Sequence, residues 1–273
     1  MGLALSSLTL AAFRSYRSLR WEGDARPVAL YGNNGAGKTN ILEAVSLLSP
    51  GRGLRRAQPL EFAQRPEGLG WRIKAMVETD PPHEVQTGAE GEASRSVQID
   101  GKTTSQLALG RLVRVVWLTP AMDRLWLEGA GERRRFLDRL TLSFAPDHAE
   151  ASSQYERAMR ERNRLLKDGV REPAWFDALE EQMAQAGAKI AQNRAQTVVR
   201  LTAAQDGAVS QFPRASLALM TPDGFPEEVW DEAGLRQALS EGRYRDQAAG
   251  RTLVGPHRAD LSAPPCPCQC RAL

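Results

Sequence analysis

Apolar and polar positions alternate at the start of the chain. Leu8 and Leu10 alternate with polar neighbours, and after Phe13-Arg14-Ser15-Tyr16 a second extended piece runs through Leu19 and Trp21. A period of two is the mark of a half-buried strand, so these segments predict a hairpin. Val28-Ala29-Leu30-Tyr31 is a short apolar run suited to a buried strand, and Asn40 to Leu48 has the apolar spacing of a helix that packs one face on a sheet. Trp71 to Val77 alternates cleanly, Pro81-Pro82 breaks the pattern, and Ser94 to Asp100 ends at Gly101; the stretch 71–100 therefore predicts an antiparallel meander. Leu112 to Leu118 is β-branched and apolar, which predicts a further buried strand closed by Thr119-Pro120.

The second half of the chain changes to a helical period. From Ala151 to Lys167, Tyr155, Met159 and Leu166 mark one apolar face, while Arg157, Arg160, Arg164 and Lys167 step by three, four and three along another. Asp168-Gly169 ends this helix and Pro173 opens the next, in which Phe176, Leu179, Met183, Ala186 and Ile190 also step by three and four. Two such helices joined by a short break predict an antiparallel hairpin. A helix also begins around Arg133-Arg134-Arg135-Phe136-Leu137-Asp138, where three consecutive arginines fan around the axis and cannot share one contact. Ser216 to Met220 predicts a strand, and Glu227 to Leu239 a helix after Pro226. Thr252 to Leu261 has no periodic explanation, and its His257 alone is expected to be a packed or capping residue.

Between the apolar run at 28–31 and the helix after it lies the chemistry-bearing stretch. Gly32-Asn33-Asn34-Gly35-Ala36-Gly37-Lys38-Thr39 satisfies G-x-x-x-x-G-K-[ST] at all four fixed positions. About 0.01 chance matches are expected in a chain of this length. The three glycines let backbone N–H groups approach phosphate oxygens, and the following helix start adds unpaired donors and the positive end of its dipole. Lys38 is expected to reach the terminal phosphates, and Thr39 to give its hydroxyl to Mg²⁺. Arg52, Arg55 and Arg56 form a basic loop after this helix, equally consistent with a phosphate contact or a solvated turn.

Composition adds bounds. The 273 residues, 42% hydrophobic and 25% charged, suit an ordinary globular protein, and a net charge of +3 is compatible with a polyanion partner without requiring one. There is no apolar stretch long enough to cross a bilayer and no signal segment, so a cytoplasmic location is expected. The basic stripe Arg157, Arg160, Arg164 and Lys167 has two readings. It is either a DNA-backbone contact or an ion-paired surface, because Glu156 and Glu161 lie within helical reach of it.

Taken together, Phe13-Arg14-Ser15-Tyr16, the glycine loop with Asn40-Ile41-Leu42-Glu43-Ala44, the Pro120 to Asp138 stretch and Gly255-Pro256-His257-Arg258-Ala259-Asp260-Leu261 resemble the RecF family of bacterial DNA replication and recombinational repair ATPases. The family pattern in the third stretch is met at Pro120, Leu125, Gly129, Arg133, Arg134, Phe136, Leu137 and Asp138, and departs at Ala121, Trp126, Glu128 and Ala130 without changing the spacing. The resemblance implies an α/β, ABC-type P-loop ATPase head carrying an inserted α-helical hairpin lobe, with the head at 1–118 plus 250–273 and the lobe at 119–249. It further implies ATP and Mg²⁺ as ligands, an ATP-dependent homodimer, and engagement of single-stranded DNA and single-strand/double-strand junctions. Work with RecR and RecO in repair at single-strand gaps and in the SOS response is implied as well.

Family chains continue into an L-S-x-G-like signature and an apolar strand ending in paired carboxylates. Neither is found before Leu273, so hydrolysis of ATP by this sequence alone is not expected. Ser262 to Cys270 is instead proline-rich and holds Cys266, Cys268 and Cys270, and is expected to be an out-of-frame or artificial end rather than a metal site. Two other functions fit the glycine loop: a small-molecule P-loop kinase, against which the long hairpin argues, and an ATP-independent module for DNA or RecR.

Overall fold

Period-two alternation builds the first half of the molecule as expected. β1 (Ala4–Phe13) and β2 (Tyr16–Glu22) pair as the hairpin, and β3 (Gly70–Glu78), β4 (His83–Glu90), β5 (Ser96–Ile99) and β6 (Lys102–Thr104) form the meander. They make one antiparallel sheet in the order β2-β1-β3-β4-β5-β6. In β3, Trp71, Ile73, Ala75 and Val77 are buried while Arg72 and Lys74 face water, so one sheet face is apolar. Leu8, Leu10 and Phe13 of β1 and Val85 of β4 join the same core as Ala44 of helix α1 (Lys38–Ser46) and Leu47 and Leu48 just beyond its end. Phe13, Phe62 and Trp71 close the core as an aromatic cluster with ring centres 5.2 to 5.7 Å apart. This computed structural model describes residues 3–64, 69–170, 172–208, 212–224 and 229–265.

Two expected strands are absent. Residues 28–31 and 113–118 have no regular secondary structure and pair with no strand among the described residues, and Val28, Leu30, Tyr31, Val116 and Leu118 are exposed. Helix α2 (Gln106–Leu112) takes up the start of the second run. Apolar content made these segments suitable for a strand, but a strand also needs a backbone partner to satisfy its N–H and C=O groups.

The chain divides into the units Met1–Trp117 and Leu118–Leu273. The second unit contains α3 (Ala130–Phe144), α4 (His148–Lys167), α5 (Pro173–Gly207), α6 (Glu232–Glu241) and α7 (Arg243–Ala249), with a short pair of strands, β7 (Ala218–Met220) and β8 (Asp260–Ser262). α4 and α5 fold back on each other, with Arg162 opposite Glu180 and Gly187 against the ring of Tyr155. Tyr155, Met183, Ala186, Ile190, Leu235 and Leu239 fill the seam. Helix α6 starts later than expected, capped by the Asp231 carboxylate on the Gly234 N–H, and α7 was not foreseen. Part of the expected 227–239 helix, and all three cysteines, lie outside the described residues.

Residues 250–273 are expected in the head. Their described part packs instead with the helices, because Arg162, Asn163, Arg133, Arg134 and Arg194 all bond to residues between Thr252 and Asp260. A buried ionic group supports this unit: Arg162, wholly buried, donates to Glu180 at 3.0 Å, Asp246 at 2.6 Å, the Thr252 hydroxyl at 2.8 Å and the Leu239 carbonyl at 3.0 Å.

Candidate phosphate-binding site

The glycine loop leads directly into α1, with Gly37 as its left-handed N-cap. Gly32, Gly35 and Gly37 have φ of 140°, 83° and 90°, which side-chain-bearing residues rarely adopt. Open space surrounds Gly32 and Gly35, where a Cβ would meet nothing within 4 Å. Gly37 differs: a Cβ there would lie 2.5 Å from the Tyr16 hydroxyl. The Lys38 ammonium folds over the loop and donates to the Gly32 and Asn33 carbonyls, both at 2.7 Å. Thr39 is exposed, and its hydroxyl has no partner among the described residues.

The turn between β1 and β2 grips this loop from one side. Tyr16 donates its hydroxyl to the Ala36 carbonyl at 3.2 Å, and Asn40 donates to Ser15 at 2.9 Å. Arg14, itself at a φ of 53°, forks onto the Glu43 carboxylate at 2.8 and 2.9 Å and lies 5.0 Å from the centre of the Phe62 ring. Glu43 is completely buried on the sheet side of α1 and accepts a further bond from Arg55 at 2.9 Å. At the other end of α1, Arg95 donates to the carbonyls of Leu47 (2.8 Å), Ser49 (3.1 Å) and Gly51 (2.6 Å) and to the Thr87 hydroxyl (2.9 Å). Burial lowers its pKa to about 10, and the carbonyls at the negative end of the helix hold the charge.

Sequence reasoning located the loop but missed Glu43, Arg95 and the use of Arg14. A usable signal was present at Glu43, a lone carboxylate among the apolar positions of α1. Arg55, left open between phosphate contact and solvated turn, binds Glu43 and Asn40. In the helical unit, Arg157, Arg160, Arg164 and Lys167 are all exposed on α4 as the stripe required. Arg160 lies 3.7 Å from Glu156 and Arg164 3.0 Å from Glu161, so half of the stripe is ion-paired. Among the described residues no helix is long and apolar enough to cross a membrane.

A glycine loop on the N-terminus of a helix beneath an antiparallel sheet, followed by a helical hairpin, defines an ABC-type P-loop ATPase head with an inserted helical lobe. No family model matches the chain. The chain is 47% identical over 280 residues to the DNA replication and repair protein RecF of Caulobacter vibrioides, covering 95% of this chain and 72% of that protein. It is 46% identical over 268 residues to RecF of Mesorhizobium japonicum, covering 94% and 71%. The chain belongs to the RecF family of DNA replication and repair proteins. A solved structure of the recombination mediator protein RecF with ATP, in the RecFOR pathway, shares the fold with a TM-score of 0.83 at 23% identity, covering 96% of this chain and 73% of that one. Family membership removes the small-molecule kinase as a reading.

Proposed function

We propose that this chain binds ATP through Gly32, Asn33, Asn34, Gly35, Ala36, Gly37, Lys38 and Thr39, and through it takes part in DNA repair at single-strand gaps. The observation that carries the proposal is the loop itself: three left-handed glycines leading into a helix N-terminus, with open space at Gly32 and Gly35 and a flexible cation above them. Those features fit a polyphosphate, since backbone amides and the helix dipole favour negative charge and the glycines leave room for close approach. Bound there, ATP would supply a triphosphate whose charge Lys38 meets, and Mg²⁺ would take the Thr39 hydroxyl. Lys38 gives up two neutral carbonyls in exchange for anionic oxygens, which form the stronger bonds. The solved RecF–ATP structure supports the ligand.

DNA, single-stranded or at junctions, is the proposed partner of the exposed stripe on α4, and RecR and RecO are proposed partners on family grounds. Lys38→Ala is expected to weaken binding of a fluorescent ATP analogue at least tenfold, by loss of a charge-assisted contact. Equal affinity in the variant and the parent chain refutes the assignment. Replacing Arg157, Arg160, Arg164 and Lys167 by Glu is expected to lower DNA affinity and flatten its dependence on salt; an unaltered slope returns the stripe to an ion-paired surface.

A further inference from the structure

Three guanidinium groups reach the segment 255–260, Arg258 within it adds a fourth, and only two carboxylates meet them. Arg133 forks onto Asp260, with both bonds at 2.8 Å, and Arg194 forks onto Asp138 at 2.7 and 3.0 Å while also donating to the Pro256 carbonyl at 2.6 Å. His148 adds a bond to Asp138 at 2.9 Å, so both carboxylates are already engaged. Arg134 donates to the neutral Ala259 carbonyl at 2.8 Å. The Arg258 guanidinium has no hydrogen-bond or ion-pair partner among the described residues, and its Nε is fully buried. Arginine does not give up its proton under such conditions, and a buried charged donor without an acceptor is unfavourable unless a ligand supplies one.

The surroundings agree. Burial, then the positive charges of Arg194 and Arg258, lower the pKa of Arg134 despite Asp260 and Asp138. Burial also pushes His257 down to about 4, with Arg258, Arg134 and Arg194 adding repulsion. Its Nε2 lies 3.1 Å from the Thr252 carbonyl and its Nδ1 2.8 Å from the Tyr155 hydroxyl, which ties the segment to α4. Arg134 and Arg258 are only half-buried, so a small anion can reach them.

We propose that Arg134 and Arg258 form a second phosphate-binding site, made wholly within the helical unit from residues other than those of the glycine loop. The guanidinium fork matches the oxygens of a phosphate group, which comes either from a free polyphosphate or from a nucleic-acid backbone.

The test uses the full chain carrying Lys38→Ala, so that the glycine loop does not contribute, with inorganic pyrophosphate as the probe in calorimetry and thermal melting. Pyrophosphate is expected to bind this chain, and adding Arg258→Gln or Arg134→Gln is expected to weaken it about tenfold. The unliganded Arg258→Gln chain is expected to melt at the same temperature or higher, because a buried Nε–H donor without a partner has gone. A junction DNA duplex identifies the source: a backbone phosphate predicts a salt slope about one unit shallower in Arg258→Gln, whereas a free polyphosphate predicts an unchanged slope with the pyrophosphate loss retained. Pyrophosphate affinity and DNA slope both indifferent to the two variants would overturn the proposal. A lower melting temperature of unliganded Arg258→Gln would overturn it too, by showing that the guanidinium is already satisfied within the protein.

Discussion

Gly37 carries two separate requirements. Its φ of 90° disfavours any side chain, and the Tyr16 hydroxyl occupies the space a Cβ would need. Gly37→Ala is therefore expected to destabilise the first unit by more than about 1 kcal/mol and to lose nucleotide affinity, because relief of the clash displaces the turn that holds the Ala36 carbonyl. Urea unfolding and nucleotide titration check this, and a variant equal to the parent in both contradicts it. His257 makes a pH prediction. Its folded pKa, near 4, lies below the unfolded value of 6.5, so the unfolded chain binds the extra proton between those limits. Stability from this residue is full above about pH 6.5 and is lost as the pH falls towards 4, an effect on the order of 3 kcal/mol. Asp138 acts at lower pH: burial alone would raise its pKa, but Arg194 and the His148 bond outweigh burial and hold it below the usual range. Melting temperatures between pH 7 and 4.5 are expected to fall less steeply in His257→Gln, which can still donate to the Thr252 carbonyl; identical slopes would contradict this. Lys38 and the loop glycines were legible in the sequence because their spacing is itself the signal. Arg95 and Arg258 were not, because a buried donor is recognised only from the three-dimensional partners it has or lacks.

Helices α4 and α5 were the most legible elements. Their apolar residues repeat every three or four positions, Gly169 and Pro173 mark the break, and the structure buries Tyr155, Leu166, Phe176, Met183, Ala186 and Ile190. Periodicity did not disclose Arg162, which lies on the buried side of α4 between the exposed arginines of the stripe. Replacing it by Leu leaves Asp246 and Glu180 buried with fewer cations, and is expected to cost about 3–5 kcal/mol. Denaturant unfolding measures that loss, and a change below about 1 kcal/mol would show that the group is not the link between α4, α5 and α7. Residues 28–31 and 113–118 fail in the opposite direction. An apolar run reports what a segment would bury, whereas a strand forms only where another backbone lies beside it, and no local pattern contains that information. The meander succeeded because its strands are consecutive and each turn brings the next partner alongside.

For the molecule as a whole, composition said little: the excess behind the net charge of +3 lies in the first unit while the helical unit is close to neutral, and the acidic partners of the α4 stripe sit among its arginines. The assignment to a RecF-type head came from four short stretches, and the structure joins them in two pairs. Arg14, Ser15 and Tyr16 lock onto the glycine loop and its helix, while Arg133 and Arg134 hold the Arg258-Ala259-Asp260 segment within the other unit. In the proposed site the amides of residues 32–39 enclose the polyphosphate of ATP. Hydrogen exchange of those amides, followed with saturating ATP and then with saturating AMP, tests it most directly. Strong slowing by ATP and little by AMP, which lacks the outer phosphates, is the expected result; no slowing by ATP, or the same slowing by both, would contradict it.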